Sequence, residues 1–128
     1  MITLRNYIGG TFSAPANGRY LDNIEPATGE VYSLIPDSGA EDVARAVEAA
    51  KKAYPTWSAL TAAERSKHLL AVAQRIEERM DELAAAESKD NGKPVKLATR
   101  VDIPRARDNF AFYATAILHD ASESHDMG

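Results

Sequence analysis

Carboxylates and histidines are the residues of this chain best suited to chemistry, and none of them stands in a spacing that specifies a reaction. Glu77, Glu78, Asp81, Glu82, Glu87 and Asp90 crowd one stretch, a pattern that acid/base catalysis or a divalent metal could use. Arg75, Arg79 and Lys89 are interleaved with them, so a solvated helix face laced by i, i+4 ion pairs accounts for all of them except Asp90. Of the three histidines, His68 lies beside Lys67 on a charged helix flank, and His119 and His125 sit near or in a polar tail. Solvated structural roles are expected for all three, although imidazole can act as base or ligand. No HExxH spacing, serine elbow, GxxxxGK[ST] or GxGxxG is present, so the usual metal, nucleophile and nucleotide fingerprints are absent. The chain has no cysteine, which excludes disulfides and thiolate zinc sites. Trp57, after Pro55-Thr56, could serve as a ligand platform but reads as an anchor packing an inter-helix loop onto the helices.

Asp90 closes a long helical pattern, and the elements that position it follow from periodicity. Asn6-Tyr7-Ile8 and Thr11-Phe12-Ser13 flank Gly9-Gly10, a dipeptide that supplies the positive φ of a tight hairpin turn. Tyr20 to Ile24 and Val31 to Ile35 form a second hairpin across a turn at Pro26 to Gly29. From Ser38 the period becomes helical. Ser38-Gly39-Ala40-Glu41 fits a capping box, Val43, Ala46, Val47, Ala50 and Tyr54 make the apolar stripe, and Pro55 is expected to end the helix. Thr61-Ala62-Ala63-Glu64 is a second capping box, opening a helix with Leu69, Val72, Ala73, Ile76, Met80 and Leu83 on one side. A break near Asp81 and a stop at Gly92 are expected. Pro94 and Pro104 each suit the first turn of a further helical segment, the last carrying Phe110, Tyr113, Ala114 and Ile117. The expected organisation is β-hairpins over 1–37, helices over 38–119 and a loose tail over 120–128, with no internal repeat.

At 128 residues, 45% hydrophobic and 27% charged, the chain fits one ordinary globular domain. Its net charge of −4 has no long single-sign runs, which gives no footprint for nucleic acid. Apolar stretches fall far short of the ~20 residues of a membrane helix. The segment Met1 to Asn6 has no signal-peptide core, so a cytoplasmic location is expected. Two-stranded hairpins are marginal alone. Part of this surface is therefore expected to be covered by polypeptide outside this sequence.

Tyr7-Ile8-Gly9-Gly10-Thr11-Phe12, Glu25-Pro26-Ala27-Thr28-Gly29-Glu30-Val31, the Asp42-Val43-Ala44-Arg45-Ala46-Val47 helix, Trp57, Glu64-Arg65 and Asp90-Asn91-Gly92-Lys93-Pro94 follow one another along nearly the whole chain. In order and spacing they resemble the N-terminal region of aldehyde dehydrogenases. Each is a weak signal singly; together they are a strong one. Glu87-Ser88-Lys89-Asp90, Val101-Asp102-Ile103-Pro104-Arg105 and Asn109-Phe110 are most similar to the branch acting on 2-aminomuconic and 2-hydroxymuconic semialdehydes. Glu25 departs from the pattern, since most relatives carry asparagine before the proline.

The resemblance implies an α+β fragment of an α/β fold, the outer part of a cofactor-binding domain with hairpins and about four helical segments. It implies a parent enzyme in which an aldehyde adds to a cysteine thiolate, hydride passes to NAD or NADP, and water activated by a glutamate releases the acid. The oxyanion asparagine, cofactor loop, glutamate and cysteine of that chemistry would follow Gly128, which leaves this segment without catalytic or cofactor-binding residues. Its partners would be the remainder of the dehydrogenase chain and further copies in a dimer or tetramer. The resemblance also implies a structural K+ or Na+ site using Asn23, the backbone carbonyl of Ile24 and the Asp90 carboxylate, completed by a ligand from elsewhere; a turn cap or a pairing with Lys93 is the plainer role for Asp90. Two other readings are a non-enzymatic helical self-association or interaction module of the same ancestry, and a coenzyme A-acylating relative.

Overall fold

The computed structural model describes residues 1–119; the expectations for His125 and for a loose tail over 120–128 fall outside that range. Five short strands precede the helices: β1 (Ile2–Thr3), β2 (Asn6–Ile8), β3 (Thr11–Ser13), β4 (Tyr20–Ile24) and β5 (Val31–Pro36). β2 and β3 pair antiparallel with Tyr7 opposite Phe12, across a two-residue turn in which Gly9 and Gly10 have φ of +60° and +84°. Both central residues of such a turn need positive φ, which glycine adopts without a side-chain clash. β4 and β5 form the expected second hairpin, and β1 adds to β5 in parallel, giving a three-stranded sheet in the order β1-β5-β4. The β1–β5 pairing has no local sequence signal, because two residues carry no period.

The β4–β5 ladder is irregular at one place. Asn23 lies opposite Ser33 and Ile24 opposite Val31, so Tyr32 is an extra residue on β5. Such a bulge leaves its residue unpaired and re-aims the side chain.

The helices are α1 (Ala40–Ser58), α2 (Ala62–Glu78), α3 (Met80–Asn91), α4 (Val95–Leu97) and α5 (Ile103–Ala116), with a π-helical turn over Ala98–Asp102 joining the last two. The α1 cap lies one residue later than the spacing predicts. Gly39 is the cap, and its N–H donates to Asp42 Oδ2 at 3.2 Å. The Ser38 hydroxyl instead exchanges hydrogen bonds with the Asn6 carboxamide. Asp42 also receives the Ala16 N–H at 3.0 Å, so this carboxylate, only 3% exposed, holds the loop after β3 against the helix start. Pro55 does not end α1, which continues through Trp57 to Ser58. The proline ring fixes φ at a helical value and removes one hydrogen bond to the Lys51 carbonyl, a loss an exposed last turn tolerates. Trp57 accordingly belongs to α1 and not to a loop, with its ring 5.7 Å from that of His68.

At α2 the predicted box forms: Glu64 N–H donates to Thr61 Oγ1 at 3.2 Å and Thr61 N–H to Glu64 Oε2 at 2.8 Å. The helix breaks at Arg79, two residues before Asp81, and α3 ends at Gly92 with φ of +78°. Pro94 lies one place before the expected first turn, as the N-cap of α4, and Pro104 sits in the first turn of α5 as expected. Among the described residues the buried apolar side chains of the helices are all alanines, Ala73, Ala84, Ala98 and Ala114, contributed by α2, α3, the π-helical turn and α5, and Pro15 is buried in the loop after β3. α2 packs most extensively on α5. Small residues there let helix backbones approach closely, while large side chains such as Phe112, Tyr113, Val43 and Tyr54 remain more than half exposed.

Candidate functional site

The two segments that carry most of the sequence resemblance meet in space. The turn joining β4 to β5, Glu25 to Glu30, closes on itself through Gly29 N–H to Glu25 O at 2.8 Å and Glu25 N–H to Glu30 O at 2.9 Å. The C-terminus of α3 abuts this turn so closely that a Cβ on Gly92 would lie 2.9 Å from Pro26 Cβ. Glycine is required there for its φ and for the approach.

Asp90 is the centre of the joint. Tyr32 donates its hydroxyl to Asp90 Oδ1 at 2.6 Å, and Asn23 donates Nδ2–H to the same oxygen at 2.9 Å. Asn23 Nδ2 is also 3.0 Å from the Tyr32 hydroxyl oxygen, closing a three-residue cluster. These bonds favour the ionised acid: the Tyr32 hydroxyl first, then the Asn23 amide, hold the Asp90 carboxyl below the usual carboxylate range. The same contact raises the Tyr32 phenol, since giving up its proton would lose the bond to a carboxylate and add a second negative charge beside it. Lys89, one residue earlier, places Nζ 4.9 Å from the centroid of the Tyr32 ring and 3.7 Å from Glu25 Oε2. Glu25, the departure from the family pattern, thus becomes the partner of Lys89 across the joint.

Lys93 does not pair with Asp90. Its ammonium bridges Glu87 Oε1 at 3.0 Å and Asp102 Oδ2 at 2.8 Å, tying α3 to the π-helical turn. The hydrogen bond to Asp102, followed by that to Glu87, raises its pKa. Ser88 Oγ donates to the Lys93 carbonyl at 2.6 Å and Lys93 N–H donates to Asn91 Oδ1 at 3.0 Å, which fixes the loop after the helix. The remaining carboxylates behave as a solvated face. Arg75 pairs with Glu78 and Arg79 with Glu82, both at i, i+3 and not at the i, i+4 spacing the sequence suggests, and Arg107 of α5 reaches Glu77.

Of the three residues anticipated for a cation, the structure brings Asn23 and Asp90 into direct contact. Ile24 follows Asn23 at the bulge, with its side chain 52% exposed. The residue that sequence reasoning missed is Tyr32, 58 positions from Asp90; an alternating strand gives no sign that one of its members is bulged. Among the described residues no group of three or more His, Cys, Asp or Glu is placed to hold a metal ion. What the joint offers is one ionised carboxylate, a carboxamide and strand carbonyls, the hard oxygen donors that suit a hard cation.

The profile of the aldehyde dehydrogenase family matches residues 12–127. The chain belongs to the aldehyde dehydrogenase family. It is 50% identical over 130 residues to the 2-aminomuconic semialdehyde dehydrogenase of Danio rerio, an alignment covering 99% of this chain and 26% of that protein. Among solved structures it resembles the apo form of an indole-3-acetaldehyde dehydrogenase, with a TM-score of 0.94 and 31% identity over 98% of this chain and 29% of that one. It also resembles PnpE in complex with nicotinamide adenine dinucleotide, with a TM-score of 0.86 and 40% identity over 88% of this chain and 23% of that one. This aldehyde dehydrogenase chain therefore spans about a quarter of the length of the curated relatives it matches. The hairpins and helices are those of the N-terminal part of the family's structures.

Proposed function

We propose that this chain is the N-terminal section of an NAD(P)-dependent aldehyde dehydrogenase that oxidises a semialdehyde of the 2-aminomuconic or 2-hydroxymuconic type to the carboxylic acid. The observation that carries the substrate class is the 44–50% identity to 2-aminomuconic semialdehyde dehydrogenases, which extends over 99% of the chain. A chain without cysteine holds no thiolate to attack an aldehyde, so the covalent chemistry belongs to polypeptide outside this section. The section has no glycine-rich phosphate cradle either, and no step involving the nicotinamide cofactor is assigned to its residues.

On this reading its work is structural. It supplies the outer hairpins and first helices of the cofactor-binding domain, covered by the remainder of the chain and repeated in a cytoplasmic homo-oligomer. No helix among the described residues is long and apolar enough to cross a membrane. Asn23, the Ile24 carbonyl and Asp90 form part of a structural K+ or Na+ site. The donor set fits such an ion: both hydrogen bonds to Asp90 fall on Oδ1, leaving Oδ2 without a hydrogen-bond donor among the described residues. A bound cation would supply local positive charge against that oxygen. The self-association reading draws on the same exposed apolar faces and has no observation of its own.

The test is a nucleotide-reduction assay on the complete chain that contains this section, with 2-hydroxymuconic semialdehyde and, for comparison, a simple aliphatic aldehyde. Reduction of NAD or NADP with kcat/KM about tenfold or more in favour of the semialdehyde is expected. Absence of nucleotide reduction with either aldehyde would sink the proposal.

A further inference from the structure

We infer that Tyr32 is the positioning residue of the Asp90 cation site, holding one carboxylate oxygen so that the other faces the ion. The inference rests on the cation reading given above, and three observations support it beyond that reading.

The first is the bulge. β5 pairs with β4 in regular register from Pro36 to Ser33, then skips Tyr32 before Val31 meets Ile24. An extra residue at this point interrupts the ladder next to the two β4 residues of the site, Asn23 and Ile24, and frees Tyr32 from the alternation that would otherwise set its face. The second is the bond this permits. The Tyr32 hydroxyl meets Asp90 Oδ1 at 2.6 Å, the short distance of a hydroxyl donating to an ionised acceptor. The third is that Asn23 donates to the same oxygen, at 2.9 Å, and lies 3.0 Å from the Tyr32 hydroxyl. Two donors converging on Oδ1 from one sheet fix the carboxylate plane, although Asp90 comes from an exposed helix end that would otherwise leave its rotamer free. Lys89, 4.9 Å from the Tyr32 ring centroid, packs its ammonium on the ring and helps hold it.

Outer partners that orient a metal-ligating carboxylate commonly contribute a factor of 10–100 to ion affinity. Tyr32→Phe removes the hydroxyl and keeps the ring under Lys89, so the fold should survive while the carboxylate loses one of its two anchors. The experiment is a set of thermal melts of the complete chain, as wild type, Tyr32→Phe and Asp90→Asn, titrated with KCl or NaCl against tetramethylammonium chloride at constant ionic strength. The wild type should gain melting temperature with the alkali cation, Asp90→Asn should not, and Tyr32→Phe should need about tenfold more cation for half of the gain. The concentration at half-effect is the deciding readout, since a merely structural tyrosine would lower every melting temperature and leave that concentration unchanged. Equal half-effect concentrations for wild type and Tyr32→Phe overturn the Tyr32 assignment and leave the site standing. A wild type indifferent to the cation overturns both. If Tyr32→Phe folds poorly, broadening of the 23Na resonance by its folded fraction decides the same question: an affinity about tenfold below that of the wild type is expected, and equal affinity overturns the assignment.

Discussion

Gly92 carries two constraints that can be separated by experiment. Its φ of +78° is unfavourable for any residue with a Cβ, and that Cβ would lie 2.9 Å from Pro26 Cβ. Gly10, with φ of +84°, has the first constraint alone, since no heavy atom lies within 4 Å of a Cβ built there. Gly10→Ala should therefore cost about 1 kcal/mol, the left-handed penalty, whereas Gly92→Ala should cost about 3 kcal/mol because the turn must also move off the helix end. Urea unfolding of the two variants in the complete chain measures the difference, and equal losses would show that the turn yields freely. Gly92 was legible in the sequence as a helix stop, because a glycine after an apolar period is a local signal. Its contact with Pro26 was not, nor was the Tyr32 bond to Asp90, because nothing in a spacing reports which residues 58 or 66 positions apart will touch.

At the scale of elements, the hairpins and the Thr61 box were readable because each is decided within a few residues by glycine φ or a reciprocal cap. The misplaced end of α1 has the same kind of cause seen from the other side. Proline at a late helical position costs one hydrogen bond, and the residues after it still gain by staying helical, so a strong local stop signal loses to continuation. The parallel strand β1 and the π-helical turn lie beyond local pattern altogether. What packs the helices is the run of buried alanines, and this gives a sharp expectation. Ala114 of α5 is fully buried, so Ala114→Leu forces three more carbons into a closed contact and should destabilise the complete chain by about 2 kcal/mol in denaturant unfolding. A neutral result would mean that the α5 packing is loose enough to accept a large side chain.

The whole molecule shows more surface than its size warrants. A compact monomer of 13.9 kDa presents about 6,700 Å² by the usual scaling, whereas this chain presents 9513 Å². That surface includes large apolar side chains, among them Tyr7 and Phe12 on the first hairpin, Val43 and Tyr54 on α1, and Phe112 and Tyr113 on α5, all at least 60% exposed. An apolar surface of this extent rarely stays bare. On the proposed reading the remainder of the dehydrogenase chain covers it, and Phe112 is a side chain that looks exposed in the section and is buried in the whole. The 128-residue chain expressed alone should bind a hydrophobic dye such as anilinonaphthalene sulfonate and sediment as a broad distribution of sizes. Joined to the rest of its chain it should do neither, and Phe112→Ala should then cost about 3 kcal/mol in unfolding, as for a core aromatic. If the short chain instead unfolds cooperatively as one discrete oligomer without binding dye, its faces complement one another, and the interaction-module reading displaces the one preferred here.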